Sequence, residues 1–180
     1  MTRLATIDPT APSPAKALLD AVQRKLGVVP NMMRVMATNP GILAAYLAFS
    51  DAVTAAGLGL KVHEQIALAV AEANGCDYCL AAHTVLGKLA GLPQPAMLSA
   101  RKGEADDTHA AAALVLARRL IADRGGVAPE HVAEARATLT DGEIVEVVAS
   151  VALNVFTNYL NISADTDIDF PRAAPLRNAA

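Results

Sequence analysis

The chain has 180 residues, of which 53% are apolar and only 3% aromatic, and it contains no Trp. Its net charge is −3, and its Lys and Arg residues are scattered, which argues against a surface for binding a nucleic acid backbone. This length and composition fit one well-buried domain over residues 1–180, and the many alanines favour close-packed helices over a sheet.

Helix start and stop signals recur along the chain and predict about seven to nine helices. Nowhere does a two-residue alternation last long enough to predict a strand, so the expected fold class is all-α. Thr140 and Glu143 form a capping-box pattern in front of the most apolar helix. The predicted helices run from Ser13-Pro14 to Gly27, from Asn39-Pro40 to Gly57, from Lys61 to Asn74, from about Cys76 to Leu89, from Pro95 to Arg101, from Asp106 or Asp107 to Gly125-Gly126, from Pro129 onward, and from Thr140 to about Asn161.

The ends of the chain and its most apolar stretch bear on location. The N-terminal segment has no uninterrupted apolar run of the kind found in secretory signals. The stretch 144–156 is broken by Glu146 and is too short to span a bilayer. We therefore expect a cytoplasmic protein without a membrane partner. The tail, 163–180, has no periodicity and is expected to be an extended arm or cover.

Both cysteines of the chain and one histidine lie within eight residues, in "CDYCLAAH". On a helix, the side chains of Cys76, Cys79 and His83 share an arc of about 60°, and the two cysteine Cα atoms lie about 5 Å apart, close enough for a disulfide. A position in the first helical turn favours a thiolate at Cys76, and His83 can share the proton of Cys79. Tyr78 points away from this arc and is interpreted as a packing residue. In a reducing compartment such a pair is redox-active or metal-binding more often than structural.

Glu64 is the fourth candidate, and its role depends on whether the chain reverses direction at Gly75. If the chain reverses there, Glu64 faces His83 and can polarise it, which gives a relay Glu64–His83–Cys79. If one helix runs straight through, Glu64 lies about 18 Å from Cys76 and the relay fails. Simpler interpretations are a charge near a helix start for Glu64 and a zinc half-site for the cysteines, although the chain has no second pair. The other histidines are interpreted as surface or satisfied core residues: His63, His109 and His131.

The set E-x11-C-x-x-C-x-x-x-H, formed by Glu64, Cys76, Cys79 and His83, resembles the signature of the alkylhydroperoxidase D-like branch of the carboxymuconolactone decarboxylase superfamily. The later "LNVFTNYLNISADTDIDFP" is similar to the C-terminal segment of peroxidase-related proteins in that branch. The resemblance is strongest over a redox core at 60–92 and extends to about Pro171. It implies an all-helical bundle that assembles into trimers or hexamers.

The resemblance also implies a function and a role for each residue. Cys79 attacks the peroxide and becomes a sulfenic acid, Cys76 condenses with it and is presented to the reductant, and His83 and Glu64 relay the proton. Neither an organic cofactor nor a metal is required, and a lipoyl-bearing or other dithiol protein supplies electrons. We therefore expect a peroxide-reducing dithiol enzyme with an antioxidant role, as a homo-oligomer. The alternatives are a thiol–disulfide oxidoreductase or redox sensor, and a non-enzymatic helical oligomer with a metal-binding site.

Overall fold

The structure of the chain, a computed structural model, describes residues 2–176. Over this range it contains nine helices and no strand, which confirms the predicted all-α, single-domain fold. The helices are α1 (Lys16–Leu26), α2 (Asn31–Met36), α3 (Pro40–Thr54), α4 (Leu60–Asn74), α5 (Asp77–Leu89), α6 (Gln94–Lys102), α7 (Thr108–Ala122), α8 (Pro129–Arg136) and α9 (Asp141–Ala164).

Helix α4 is the centre of the bundle, and it packs against α5, α6, α7 and α9. Every residue from Val62 to Ala71 is buried, as expected for a helix that has neighbours on all sides. Three of these buried residues are polar: His63, Glu64 and Gln65. Because burying a polar group is costly unless it is hydrogen-bonded, the first two have partners on neighbouring helices.

Most predicted helix boundaries agree with the structure. Asn39 caps α3 through its side chain, and Pro40 occupies the first turn. Thr140 and Glu143 form the predicted capping box of α9. The predicted start at Ser13-Pro14 was wrong: the Ser13 carbonyl accepts the Lys16 N–H in a turn, and α1 begins at Lys16, two residues later than predicted. The short helix α2 was also missed, because its six residues are too few to display a helical period.

Helix α9 is longer than predicted, since it runs through Ala164 before the left-handed residue Asp165 ends it. Its length and composition would suffice for a membrane span, but half of its most apolar window is buried inside the bundle, as in the core helix of a globular domain. Residues 163 and 164 of the predicted tail belong to α9, whereas residues 166–176 form no helix and cover other elements, as predicted. Asp169 accepts the N–H of Asn31, and the carbonyl of Ala174 accepts a hydrogen bond from Arg101. Residues 177–180 of the predicted tail lie outside the described residues.

Candidate active site

The candidate site is carried by the hairpin of α4 and α5. Gly75 ends α4 in the left-handed conformation, with φ of 65°, and reverses the chain. The hairpin is therefore the correct alternative, and the straight helix through Gly75 is excluded. Cys76 and Cys79 are joined in a disulfide with their Cα atoms 5.3 Å apart, in agreement with the spacing argument.

Cys76 is the N-cap residue of α5, just before its first turn rather than within it. Its backbone is extended, and its sulfur accepts the backbone N–H of Cys79 at 3.3 Å. The sulfur thus lies where the unpaired amides of the helix terminus favour a negative charge. Cys76 is 1% exposed and Cys79 is 3% exposed. Neither sulfur is at the surface of the oxidised chain, so a reductant reaches the disulfide only if neighbouring side chains move.

Glu64 and His83 form the second pair of the site. The Oε2 atom of Glu64 lies 2.9 Å from Nδ1 of His83. The Glu64 side chain is buried, whereas that of His83 is 20% exposed and is the part of the set nearest to solvent. In this contact the Nδ1–H of His83 donates to the carboxylate of Glu64. The other ring nitrogen, Nε2, is therefore the one that can exchange a proton. Within residues 2–176, no group hydrogen-bonds to Nε2.

The four predicted residues thus come together as two pairs on one hairpin. The link from His83 to Cys79 is not a hydrogen bond in this oxidised form, where the sulfur has no proton to share. Instead, the side-chain amide of Asn161 donates from Nδ2 to Sγ of Cys79 at 3.4 Å. The full relay Glu64–His83–Cys79 stays a prediction.

Sequence reasoning missed Asn161, although α9 carries a visible signal. Within this apolar helix, polar residues recur at four-residue steps on the face that packs against α4, and Asn161 follows one turn later. The members of this buried polar stripe are Glu146, Ser150, Asn154, Thr157, Asn158 and Asn161. Polar residues on the buried face of a helix indicate specific partners, because an unpaired buried polar group is costly.

The remaining histidines are satisfied by neighbours, as predicted. His63 is buried, with Nε2 2.7 Å from Glu146 and Nδ1 3.2 Å from the Ser150 hydroxyl. His109 pairs with Glu143, and His131 pairs with Glu134 nearer the surface. Across residues 2–176, no group of three or more His, Cys, Asp or Glu side chains is arranged to hold a metal ion.

Two tyrosines have raised pKa values, Tyr78 on the redox hairpin itself and Tyr46 on α3. The hydroxyl of Tyr78 accepts the N–H of Met32, and its ring meets Phe170 of the tail edge-on, so its predicted packing role is confirmed. Burial raises the pKa of Tyr78 well above its usual range. Burial also raises the pKa of Tyr46 to about 12, and the nearby Glu64 carboxylate acts in the same direction. Tyr46 therefore stays protonated at neutral pH.

A cavity of about 300 Å³ lies on another side of α4, against α6 and α7. Val62 and Gln65 of α4 and Leu92 contribute to its wall. None of the four candidate residues lines it, so this cavity is separate from the redox hairpin.

Comparison with known proteins gives one family and several structures. Residues 40–123 match the model of the carboxymuconolactone decarboxylase family. No curated protein sequence matches the chain. An uncharacterized peroxidase-related protein from Ralstonia eutropha JMP134, described as an alkylhydroperoxidase AhpD core, superposes with a TM-score of 0.82 at 22% identity, over 93% of this chain and 92% of that one.

Two further structures are similar over nearly the whole chain. A peroxidase-related protein from Silicibacter sp. TM1040 has a TM-score of 0.76 at 21% identity, over 99% of this chain and 98% of that one. A cysteine-to-alanine variant of the debrominase Bmp8, in complex with 2,3,4-tribromopyrrole, has a TM-score of 0.78 at 20% identity, over 94% of each chain. These likenesses confirm the fold implied by the sequence resemblance.

Proposed function

We propose that the chain is a member of the carboxymuconolactone decarboxylase superfamily and a peroxide-reducing dithiol oxidoreductase with an antioxidant role, because residues 40–123 match the model of that family and the fold is alkylhydroperoxidase D-like. The observation that carries this proposal is the Cys76–Cys79 disulfide on the same hairpin as the Glu64–His83 pair. Thiolates attack O–O bonds, and a neighbouring thiol converts the resulting sulfenic acid into a disulfide.

In the proposed cycle, the reduced enzyme begins with two thiols. His83 takes the proton of Cys79, and Glu64 stabilises the resulting imidazolium. The Cys79 thiolate forms an S–O bond with the terminal peroxide oxygen while the O–O bond breaks, and the leaving alkoxide takes up a proton to become an alcohol. Cys76 then attacks the sulfenic sulfur of Cys79, which forms the disulfide and releases water. Two thiols and one hydroperoxide thus give one disulfide, one alcohol and one water.

The test is to count free thiols and measure intact mass before and after one equivalent of an organic hydroperoxide. We expect both thiols to be lost together with two hydrogens, because the chain has only two cysteines. Cys79→Ser should abolish the reaction, and Cys76→Ser should stop it at an oxidised Cys79. His83→Gln should slow it by about 10²-fold or more, the usual contribution of a general base.

His131→Gln is the matched control, because this substitution also removes a histidine that contacts a glutamate, here on α8 and away from the cysteines. It should leave the rate unchanged. Free thiols that persist after addition of hydroperoxide would refute the proposed function. Faster oxidation by protein disulfides than by hydroperoxide would favour the thiol–disulfide oxidoreductase or redox sensor.

A second candidate function follows from the likeness to the debrominase Bmp8. The same dithiol could reduce a brominated pyrrole: the ring exchanges bromine for hydrogen, bromide and a proton leave, and Cys76 and Cys79 become the disulfide. The same thiol count with 2,3,4-tribromopyrrole in place of hydroperoxide, followed by measurement of bromide, tests it. If the protein releases bromide from the pyrrole but loses few thiols to hydroperoxide, reductive debromination is the better assignment.

We also propose a homo-oligomer, because the outer face of α9 leaves large apolar side chains exposed within residues 2–176. This face runs the length of the helix, and the exposed side of α3 continues it. Its large exposed residues are Ile42, Phe49, Val145, Val148, Phe156, Tyr159 and Ile162. Exposed apolar side chains in this number on two packed helices are typical of subunit interfaces. A trimer or hexamer in light scattering at micromolar concentration is expected, and a monomeric mass would refute it.

The proposed source of electrons is a lipoyl-bearing or other dithiol protein in the cytoplasm. A small dithiol carried by a partner suits a disulfide that is almost fully buried, because a slender arm reaches it more readily than a protein surface does. Reduction of the isolated disulfide should be faster with dihydrolipoamide than with a bulky monothiol. Equal rates would refute this choice.

A further inference from the structure

Asn161 of α9 is a polar side chain in direct contact with a redox sulfur. Its Nδ2 atom donates to Sγ of Cys79 at 3.4 Å, and the residue is 3% exposed. In the part of the chain that the structure describes, no other side chain hydrogen-bonds to either sulfur of the disulfide. The amide comes from a different helix than the hairpin, so its approach to Cys79 is set by the packing of α9 on α4 and α5.

An asparagine at position 161 would be energetically unfavourable if its role were packing alone. Its Oδ1 atom is buried and has no hydrogen-bond partner within residues 2–176, which is costly for a polar group. The one bond that the amide makes is to a disulfide sulfur, which is a weak acceptor. A leucine of similar size would avoid both costs. The amide gains a strong partner only when Cys79 is charged, because hydrogen bonds to ionised groups are the strong ones.

The donors around the two sulfurs are different in origin. Cys76 receives the backbone N–H of Cys79 at the terminus of α5, an arrangement that favours a thiolate at Cys76. Cys79 is the third residue of α5, but within residues 2–176 its sulfur receives no backbone N–H, and its donor is the side chain of Asn161. Without Asn161, helix-terminus chemistry alone would make Cys76 the more readily ionised thiol.

We propose that Asn161 stabilises the thiolate of Cys79 and thereby directs attack on the peroxide to Cys79 rather than to Cys76. The amide keeps its own protons throughout. The thiol proton of Cys79 leaves to the base, and the N–H of Asn161 then faces a full negative charge until the S–O bond forms. The choice of attacking sulfur rests on the proposed function, whereas the stabilisation of the thiolate does not.

The test uses the reduced Cys76→Ser protein, whose one remaining thiol is Cys79. Its ionisation midpoint is read from the ultraviolet absorbance of the thiolate during a pH titration. Adding Asn161→Leu should raise this midpoint by about one pH unit, which is roughly a tenfold loss of thiolate at any pH below it. Asn161→Asp has the size of the native residue and should raise the midpoint further, because a carboxylate opposes a neighbouring thiolate.

Two controls separate this effect from a general loss of structure. Asn154→Leu removes another buried amide of α9, one that bonds to the carbonyl of Ser150 in its own helix, and it should leave the midpoint unchanged. In the reduced Cys79→Ser protein, Asn161→Leu should leave the midpoint of Cys76 unchanged. In the two-cysteine protein, Asn161→Leu should slow hydroperoxide reduction about tenfold below the midpoint and restore the rate at high pH.

Each outcome decides between the alternatives. An unchanged Cys79 midpoint in both Asn161→Leu and Asn161→Asp would overturn the proposal, whether or not the protein reduces peroxide. A rate that falls equally at every pH would also overturn it, because that is the result of a structural role. If the midpoint shifts but the wild-type protein leaves hydroperoxide untouched, the thiolate assignment stands and the proposed function fails.

Discussion

The buried cluster of His63, Glu146 and Ser150 allows a quantitative test of how α9 is held against α4. The Oε1 atom of Glu146 accepts two hydrogen bonds, from Nε2 of His63 at 2.7 Å and from the backbone N–H of Leu58 at 2.9 Å. All four residues are buried. Glu146→Leu removes the acceptor and leaves two buried donors unpaired. At about 1–3 kcal/mol for each, and with about 3–5 kcal/mol typical of breaking a buried pair, the expected loss of stability is about 3–5 kcal/mol.

The assay is urea unfolding followed by circular dichroism at fixed protein concentration, since an oligomer would make stability depend on concentration. Glu134→Gln is the control, because this residue also contacts a histidine, His131, but is 68% exposed. It should change the free energy of unfolding by less than about 0.5 kcal/mol.

The double variant His63→Leu with Glu146→Leu sharpens the test. Replacing both partners by apolar side chains removes the unpaired ring nitrogen, so the double variant should be more stable than Glu146→Leu alone. The Leu58 N–H stays without its acceptor, and the remaining cost is about 1–3 kcal/mol. A loss below about 1 kcal/mol in Glu146→Leu, or a double variant that costs the sum of the single ones, would refute the reasoning.

Three further predictions concern the hairpin and its cover. Gly75→Ala should lower the free energy of unfolding by about 1–2 kcal/mol in urea titrations, because φ is 65° there and the added Cβ meets no atom within 4 Å, so that only backbone strain acts. Stability should fall as the pH rises from about 10 to about 12, because Tyr46 ionises near pH 10 in the unfolded chain but has a pKa of about 12 in the folded chain. In thermal melts over this pH range, Tyr46→Phe should make the fall in stability smaller. Phe170→Ala should speed reduction of the disulfide by a small dithiol, because it removes the ring that packs on Tyr78, the residue before Cys79. An unchanged rate would mean that the tail does not limit access to the disulfide.

The local features of the site could be predicted because they depend on residues close in sequence. The Cys76–Cys79 spacing allows a disulfide on almost any single helical turn, and the structure has the Cα atoms within that range. Gly75 is the residue type that ends a helix in a left-handed conformation, and that reversal is enough to bring Glu64 to His83. Single-turn geometry and one stop signal therefore account for both pairs.

The contacts made by α9 could not be predicted in the same way. Asn161 lies 82 residues from Cys79 in the chain, and no local rule brings the two together. The helix itself and its cap were predictable from Thr140 and Glu143, but its register against α4 depends on packing between whole helices. The missed start of α1 has a different, local cause, because a Ser-Pro pair fits a turn as well as a cap.

The structural cluster and the redox contact belong to one helix, and this links stability to chemistry. Glu146 bonds to α4 near one end of α9, and Asn158 accepts a hydrogen bond from Asn74 at the end of α4 nearer the site. These two contacts fix the rotation and the height of α9 against α4. A slip of one residue would turn α9 by about 100° and carry the amide of Asn161 away from Cys79. The register that the buried His63–Glu146 pair enforces, about 22 Å along the helix from Asn161, is therefore a condition for the amide–sulfur contact in the site.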